Sequence, residues 1–191
     1  MLEPRILRQG KSVSFVACDV LAEGSIATRA LFAFGGARES AFQQEAAVAP
    51  IVPAPDDCPS FFGERRPAFA NHFDMRLAGG CAPVSRADRG EILVWARHRD
   101  PQAPSDMTSL IAMADSLPPA SITRFAEPAA LSTMTWQFDL AEAARFRAVQ
   151  WVLMHACDDN VRDGYSGQSM TMWDAQGQPL LAGRQSVAIF A

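Results

Sequence analysis

The chain contains an internal repeat, and a repeat restricts the fold more than composition can. LRQGKS at 7–12 matches VRDGYS at 161–166, and the strand–turn–strand that follows recurs as well, AEGSIATRALFAF (22–34) beside AQGQPLLAGRQSVAIF (175–190). Gly10 aligns with Gly164 and Gly24 with Gly177, so the copies differ by one residue between these glycines. A repeat of this length describes a duplicated domain rather than a solenoid. Side chains alternate along a strand, so Leu181, Gly183, Gln185, Val187 and Ile189 share one face of the last one. Gln185 interrupts that apolar row, whereas Phe32 fills the matching slot of the first copy. Burying a carboxamide without partners costs about 1–3 kcal/mol. Either Gln185 faces solvent near a frayed end, or function holds it inside.

The β-branched and aromatic runs at 13–21 and 25–36 read as a hairpin around AEG, which makes residues 1–40 one unit. Residues 41–64 hold four prolines and little periodicity and read as a linker, with a new unit over 65–191. Strands are expected at 67–80 and 90–100. Met107, Leu110, Ile111 and Ala114 then recur at helical spacing, Ser105 or Asp106 can cap the start, and Pro118 and Pro119 stop the helix. Four more strands follow at 130–140, 149–158, 164–174 and 180–191, the last two joined by the turn DAQG. Strands, one helix and a run of strands describe an α+β chain.

A net charge of −4 and a pI near 5.3 argue against a nucleic-acid partner, because phosphate binding needs a basic surface. Cys18, Cys58, Cys81 and Cys157 lack CxxC or CxxH spacing, so neither a zinc site nor a disulfide framework is expected, and reduced thiols fit a cytoplasmic protein. MLEPRILRQGKS has no apolar core of a leader peptide, and no run of about 18 apolar residues exists for a membrane span.

RDGYS (162–166), the final hairpin with Gln185, the helix ending MAD at Asp115, and STMTWQFD (132–139) resemble the acyl-CoA thioesterase II (TesB-like) family. The likeness runs through nearly the whole chain. It implies a double hot-dog fold, in which each half wraps a curved antiparallel sheet around a central helix, and metal-free hydrolysis of fatty acyl-CoA thioesters. It also implies a catalytic set: an Asp ending the second helix, a Thr on the next strand and a Gln on the last. Asp115 and Gln185 match the first and third. Counting back from Trp136 without gaps puts Leu131 in the threonine's place, with Ser132, Thr133 and Thr135 as neighbours; Thr133 shares a side with Leu131 and is taken. The strands and helix that precede VRDGYS have no counterpart before LRQGKS. The expectation is therefore one complete hot-dog plus the terminal hairpin of a second, either shortened at the N-terminus or kept to extend the second sheet. Self-association is expected too, since hot-dog proteins generally assemble.

Thioester hydrolysis needs a water set against a carbonyl carbon, a group to take its proton, and donors for the oxyanion. Asp115 can deprotonate the water, while a hydroxyl and the Gln185 carboxamide hold it. No cofactor is called for, and acyl-CoA is the partner. A non-catalytic acyl-CoA-binding protein would keep the pocket without needing these groups to converge. A hot-dog hydratase or dehydratase would want a His with an acid, for which His72 and Asp74 are the candidates. Ser166 in GYSGQ lacks the Gly-x-Ser-x-Gly pattern of a nucleophile elbow, and His98 and His155 read as structural.

Overall fold

The repeat is built as two three-stranded meanders. In the computed structural model, which describes all residues except 43, 45, 46, 64, 65 and 142, the first comprises β1 (Leu2–Gln9), β2 (Val13–Ala22) and β3 (Ser25–Gly35), antiparallel in that order. The expected hairpin is β2–β3, and β1 adds a strand to it. The charges that hid β1 in the sequence explain why it pairs. Asp19 on β2 accepts from Arg5 of β1 at 3.2 Å and from Arg29 of β3 at 2.5 and 2.9 Å, so one buried carboxylate ties three strands together. These strands form one compact unit, Met1–Gln44, and the rest of the chain, Glu45–Ala191, forms another.

The second unit contains β4 (Phe73–Gly80), β5 (Glu91–His98), α1 (Met107–Asp115), β6 (Ala130–Leu140), β7 (Val152–Arg162), β8 (Tyr165–Asp174) and β9 (Pro179–Phe190). Its six strands form one antiparallel sheet in the order β4-β5-β7-β8-β9-β6. Asp106 caps α1 by accepting from the Ser109 N–H at 2.8 Å, which satisfies one of the helix's unpaired first-turn donors. Leu110, Met113 and Ala114 then lie against Ile92, Val94, Met154, Met170, Met172 and Leu181 on one sheet face. Each fully buried Leu or Met contributes about 1.5–3 kcal/mol, which is what holds so short a helix in place. A curved antiparallel sheet with one helix laid on it is the hot-dog arrangement.

Part of the segment expected as a linker packs on this unit instead. Trp173 Nε1 donates to the Ala47 carbonyl at 2.7 Å and Trp95 Nε1 to the Pro53 carbonyl at 2.9 Å, while Ala49 and Val52 cover Leu93, Leu153 and Trp173 on the sheet face away from α1. Phe61 enters the core on the helix side. Prolines made the segment look unstructured, yet they hold it extended with carbonyls free to accept from two indoles. The strand expected at 67–80 begins at Phe73; residues Ala68–His72 form a 3-10 turn led by Pro67, whose restricted backbone suits the position before it.

Gly183 governs the pairing of β9 with the edge strand β6. A Cβ there would collide with the Gln137 carbonyl oxygen and press on Phe138, both on β6. Gly183→Ala should lower stability by about 1–3 kcal/mol, read by denaturant unfolding; a variant as stable as the parent would show that β6 yields freely.

Candidate active site

The crossover through α1 carries the chain from β5 across the sheet, so that β6 pairs with β9 rather than with β5. This sets Thr133 beside Gln185. Met134 is an extra residue between two paired positions, Thr133 with Val187 and Thr135 with Ser186. The bulge resets the alternation, putting Thr133 on the same side as Trp136 and Phe138, although Thr133 and Trp136 are three positions apart. Gln185 is buried, on the face shared with Leu181 and Val187, and its Nε2 donates to Thr133 Oγ1 at 2.7 Å. Of the three hydroxyls considered, Thr133 is the one that Gln185 touches.

Gln185 is also held from behind. Gln168 on β8 is its register partner, fully buried, and donates from Nε2 to Gln185 Oε1 at 2.5 Å. Gln168 Oε1 accepts from the Ala120 N–H at 2.6 Å. Ala120 opens the 3-10 segment Ala120–Arg124 that follows α1, and the next residue, Ser121, shares a buried hydroxyl contact with Ser166 at 3.1 Å. Gln168 is absent from the sequence reading, although the signal that singled out Gln185 was there: an amide in the alternating row Ser166, Gln168, Met170, Met172. Trp136, opposite Gln185 in register, has a buried indole N–H with no acceptor among the described residues. A buried donor of this kind is normally met by water or ligand.

Asp115 is the last residue of α1 and retains exposed surface. Its carboxylate makes no hydrogen bond or ion pair with the described residues, and partial desolvation pushes its pKa above the usual carboxylate range. The helix bearing it packs on the face to which Gln185 points, but no hydrogen bond joins Asp115 to Gln185 or Thr133. A small cavity of about 10 Å³ lies between α1 and the sheet, lined by Ala114, Leu117, Met170 and Leu181 among others. A cavity of that size holds at most one water. A depression of about 470 Å³ opens at β6, β8 and β9, where Met134, Thr135, Tyr165, Arg184 and Gln185 contribute to its lining.

The other candidates are occupied. His72 closes a 3-10 turn and does not alternate with Asp74 along a strand, and Asp74 is bound by Arg97 at 3.1 Å and Arg76 at 3.3 Å. Both Asp74 carboxylate oxygens are taken by guanidiniums, and no hydrogen bond joins His72 to Asp74. His98 meets the Ser109 carbonyl at 3.0 Å, and His155 meets Glu91 at 3.0 Å. Arg97 also lies over the Trp151 ring, 4.3 Å from its centroid. All four cysteines are free, and the described residues contain no cluster of three metal-ligating side chains.

An antiparallel sheet with its helix, and a glutamine bound to a threonine at the sheet edge, define a hot-dog protein with a polar site on the helix-facing side. A family profile described as the acyl-CoA thioesterase C-terminal domain matches residues 51–189. The chain belongs to that family. No curated protein matches it significantly. Among solved structures, a hot-dog-fold protein of unknown function from Alicyclobacillus acidocaldarius is 25% identical with a TM-score of 0.88, covering 100% of this chain and 72% of its own. A putative thioesterase from Novosphingobium aromaticivorans is also 25% identical, with a TM-score of 0.79 and the same coverage. The acyl-CoA thioesterase II TesB2 from Mycobacterium marinum, at 18% identity and a TM-score of 0.77, covers 100% of this chain and 73% of its own and shares the fold. No helix among the described residues is long and apolar enough to cross a membrane.

Proposed function

We propose that the chain hydrolyses acyl-CoA thioesters to free acid and CoA, with Asp115, Thr133 and Gln185 serving the reaction in the cytoplasm. The observation that carries this reading is the hydrogen bond from buried Gln185 to Thr133, on the sheet face that bears the helix ending in Asp115, a carboxylate with no partner among the described residues. A water held by the Gln185–Thr133 pair attacks the thioester carbonyl carbon while Asp115 accepts its proton. The tetrahedral oxyanion collapses, the C–S bond breaks, and the proton on Asp115 passes to the departing CoA thiolate. Nothing in these steps requires a covalent acyl-enzyme or a cofactor.

The test is thiol release from a panel of acyl-CoA substrates by the parent chain, Asp115→Asn and Gln185→Ala. Equal rates in all three would sink the assignment. CoA binding without hydrolysis would transfer it to an acyl-CoA-binding protein.

In the same reading, β1–β3 are the terminal strands of a first hot-dog, equivalent to β7–β9 by the repeat. Phe32 and Phe34 stack on one face of β3, their ring centroids 5.9 Å apart, and are 37% and 50% exposed, an apolar surface that association would cover. Sedimentation velocity should therefore detect a dimer or larger species at micromolar concentration, and a monomer throughout would refute this.

A further inference from the structure

The hydrogen bonds behind Thr133 form a relay whose direction is set by the one member that cannot turn round. A backbone N–H is a donor in every conformation, so Gln168 must offer its oxygen to Ala120, at 2.6 Å, and aim its NH2 the other way. That NH2 donates to Gln185 Oε1 at 2.5 Å, which leaves Gln185 its own NH2 for Thr133 Oγ1 at 2.7 Å. Thr133, whose oxygen accepts, keeps its own proton free to donate. In an isolated pair of glutamines the amide oxygens and nitrogens could exchange places without loss. Here, exchanging either amide brings donor against donor or acceptor against acceptor. Each buried group left unpaired costs about 1–3 kcal/mol.

We propose that Gln168 is the positioning residue of the site: it passes the polarity of the Ala120 N–H to Gln185 and Thr133, so that both meet the reactants as hydrogen-bond donors. This rests on the acyl-CoA hydrolysis reading. Gln168 is fully buried and touches no reactant itself. What it determines is that the second N–H of Gln185 and the Thr133 hydroxyl grip lone pairs, on the attacking water or on the thioester carbonyl oxygen. Neither takes a proton from the water, and that task falls to Asp115. The same polarity favours the oxyanion over the neutral carbonyl, because donors fixed in place gain most where negative charge develops.

Gln168→Glu keeps the size of the side chain and puts its polarity under the control of pH. While neutral, the introduced acid can accept from Ala120 and donate to Gln185, so the relay stands. Once ionised it only accepts. Gln185 must then turn its NH2 toward it and show an oxygen to Thr133. The expected result is a kcat near that of the parent where the acid is neutral, falling about tenfold to a hundredfold as it ionises. KM should change little, and the parent should lack this falling limb. In parallel, the nuclear Overhauser contact between the Gln185 side-chain NH2 and the Thr133 methyl, assigned by its loss in Gln185→Ala, should vanish over the same pH range. A folded Gln168→Glu protein that keeps both the contact and the parental pH profile would overturn the proposal, and so would a lost contact with unchanged kcat. Should Gln168→Glu fail to fold, Gln168→Met serves, with a pH-independent loss of kcat expected and parental kcat refuting. Parental hydrolysis by Gln185→Ala would remove the catalytic reading itself, whereas the Overhauser contact reports the relay without reference to catalysis.

Discussion

Asp115→Asn should lower kcat by about 10²–10⁴-fold, the range that a positioned general base contributes, while leaving the fold and KM largely intact. The carboxylate makes no bond to the described residues, so removing its charge breaks nothing structural. Desolvation holds its pKa above the ordinary value near 4, and two opposite pH effects follow. The rate of the parent chain should rise with pH through this raised value, because only the ionised form accepts a proton from water. Stability should move the other way. Between the unfolded and folded values the folded state binds more protons, so stability falls as pH rises through that window. The charge that enables the reaction therefore costs stability at neutral pH, and Asp115→Asn should melt no lower than the parent. Thiol release and calorimetry on the same preparations check both. A variant that loses activity and melts well below the parent would mean that Asp115 is structural.

Gln185→Ala should be the second most damaging change, and it should act on both properties. Truncation removes the donor to Thr133 and strands the Gln168 NH2 inside the sheet. The rate loss expected for removing a preorganised donor is about 10²–10³-fold. The unsatisfied amide should cost a further 1–3 kcal/mol of stability, roughly. A double-mutant cycle with Thr133→Val separates the two. If Gln185 and Thr133 work as one unit, the pair of substitutions should lower kcat little more than Gln185→Ala alone, since interacting groups do not add. Additive losses would place the two side chains in separate roles.

The apolar faces of the strands were legible because burial follows a period of two residues, which marked Gln185 as an amide among apolar neighbours. The helix was legible for a similar reason: Met107, Leu110, Ile111 and Ala114 recur at helical spacing, Ser105 or Asp106 can cap the start, and two prolines follow. β1 was missed because Arg5 and Glu3 look like solvent residues until Asp19 and Arg29 are set beside them. The segment through Pro53 was missed because its partners, Trp95 and Trp173, lie far along the chain.

Local pattern by itself determined the alternating faces of the strands, the presence of one short helix before Pro118, and the recurrence of one strand–turn–strand in two parts of the chain. It also marked Gln185 as an amide in an apolar row, whereas Asp115 was singled out by the family resemblance alone. Only the tertiary structure decided that β6 leaves its sequence neighbour β5 and pairs with β9, that the bulge at Met134 turns Thr133 toward Gln185, and that Gln168 and Ala120 stand behind them. The physical reason is one of range. Alternation and capping act between residues a few positions apart, whereas a hydrogen bond such as that from Gln185 to Thr133 spans 52 positions and exists only once the crossover has closed the sheet.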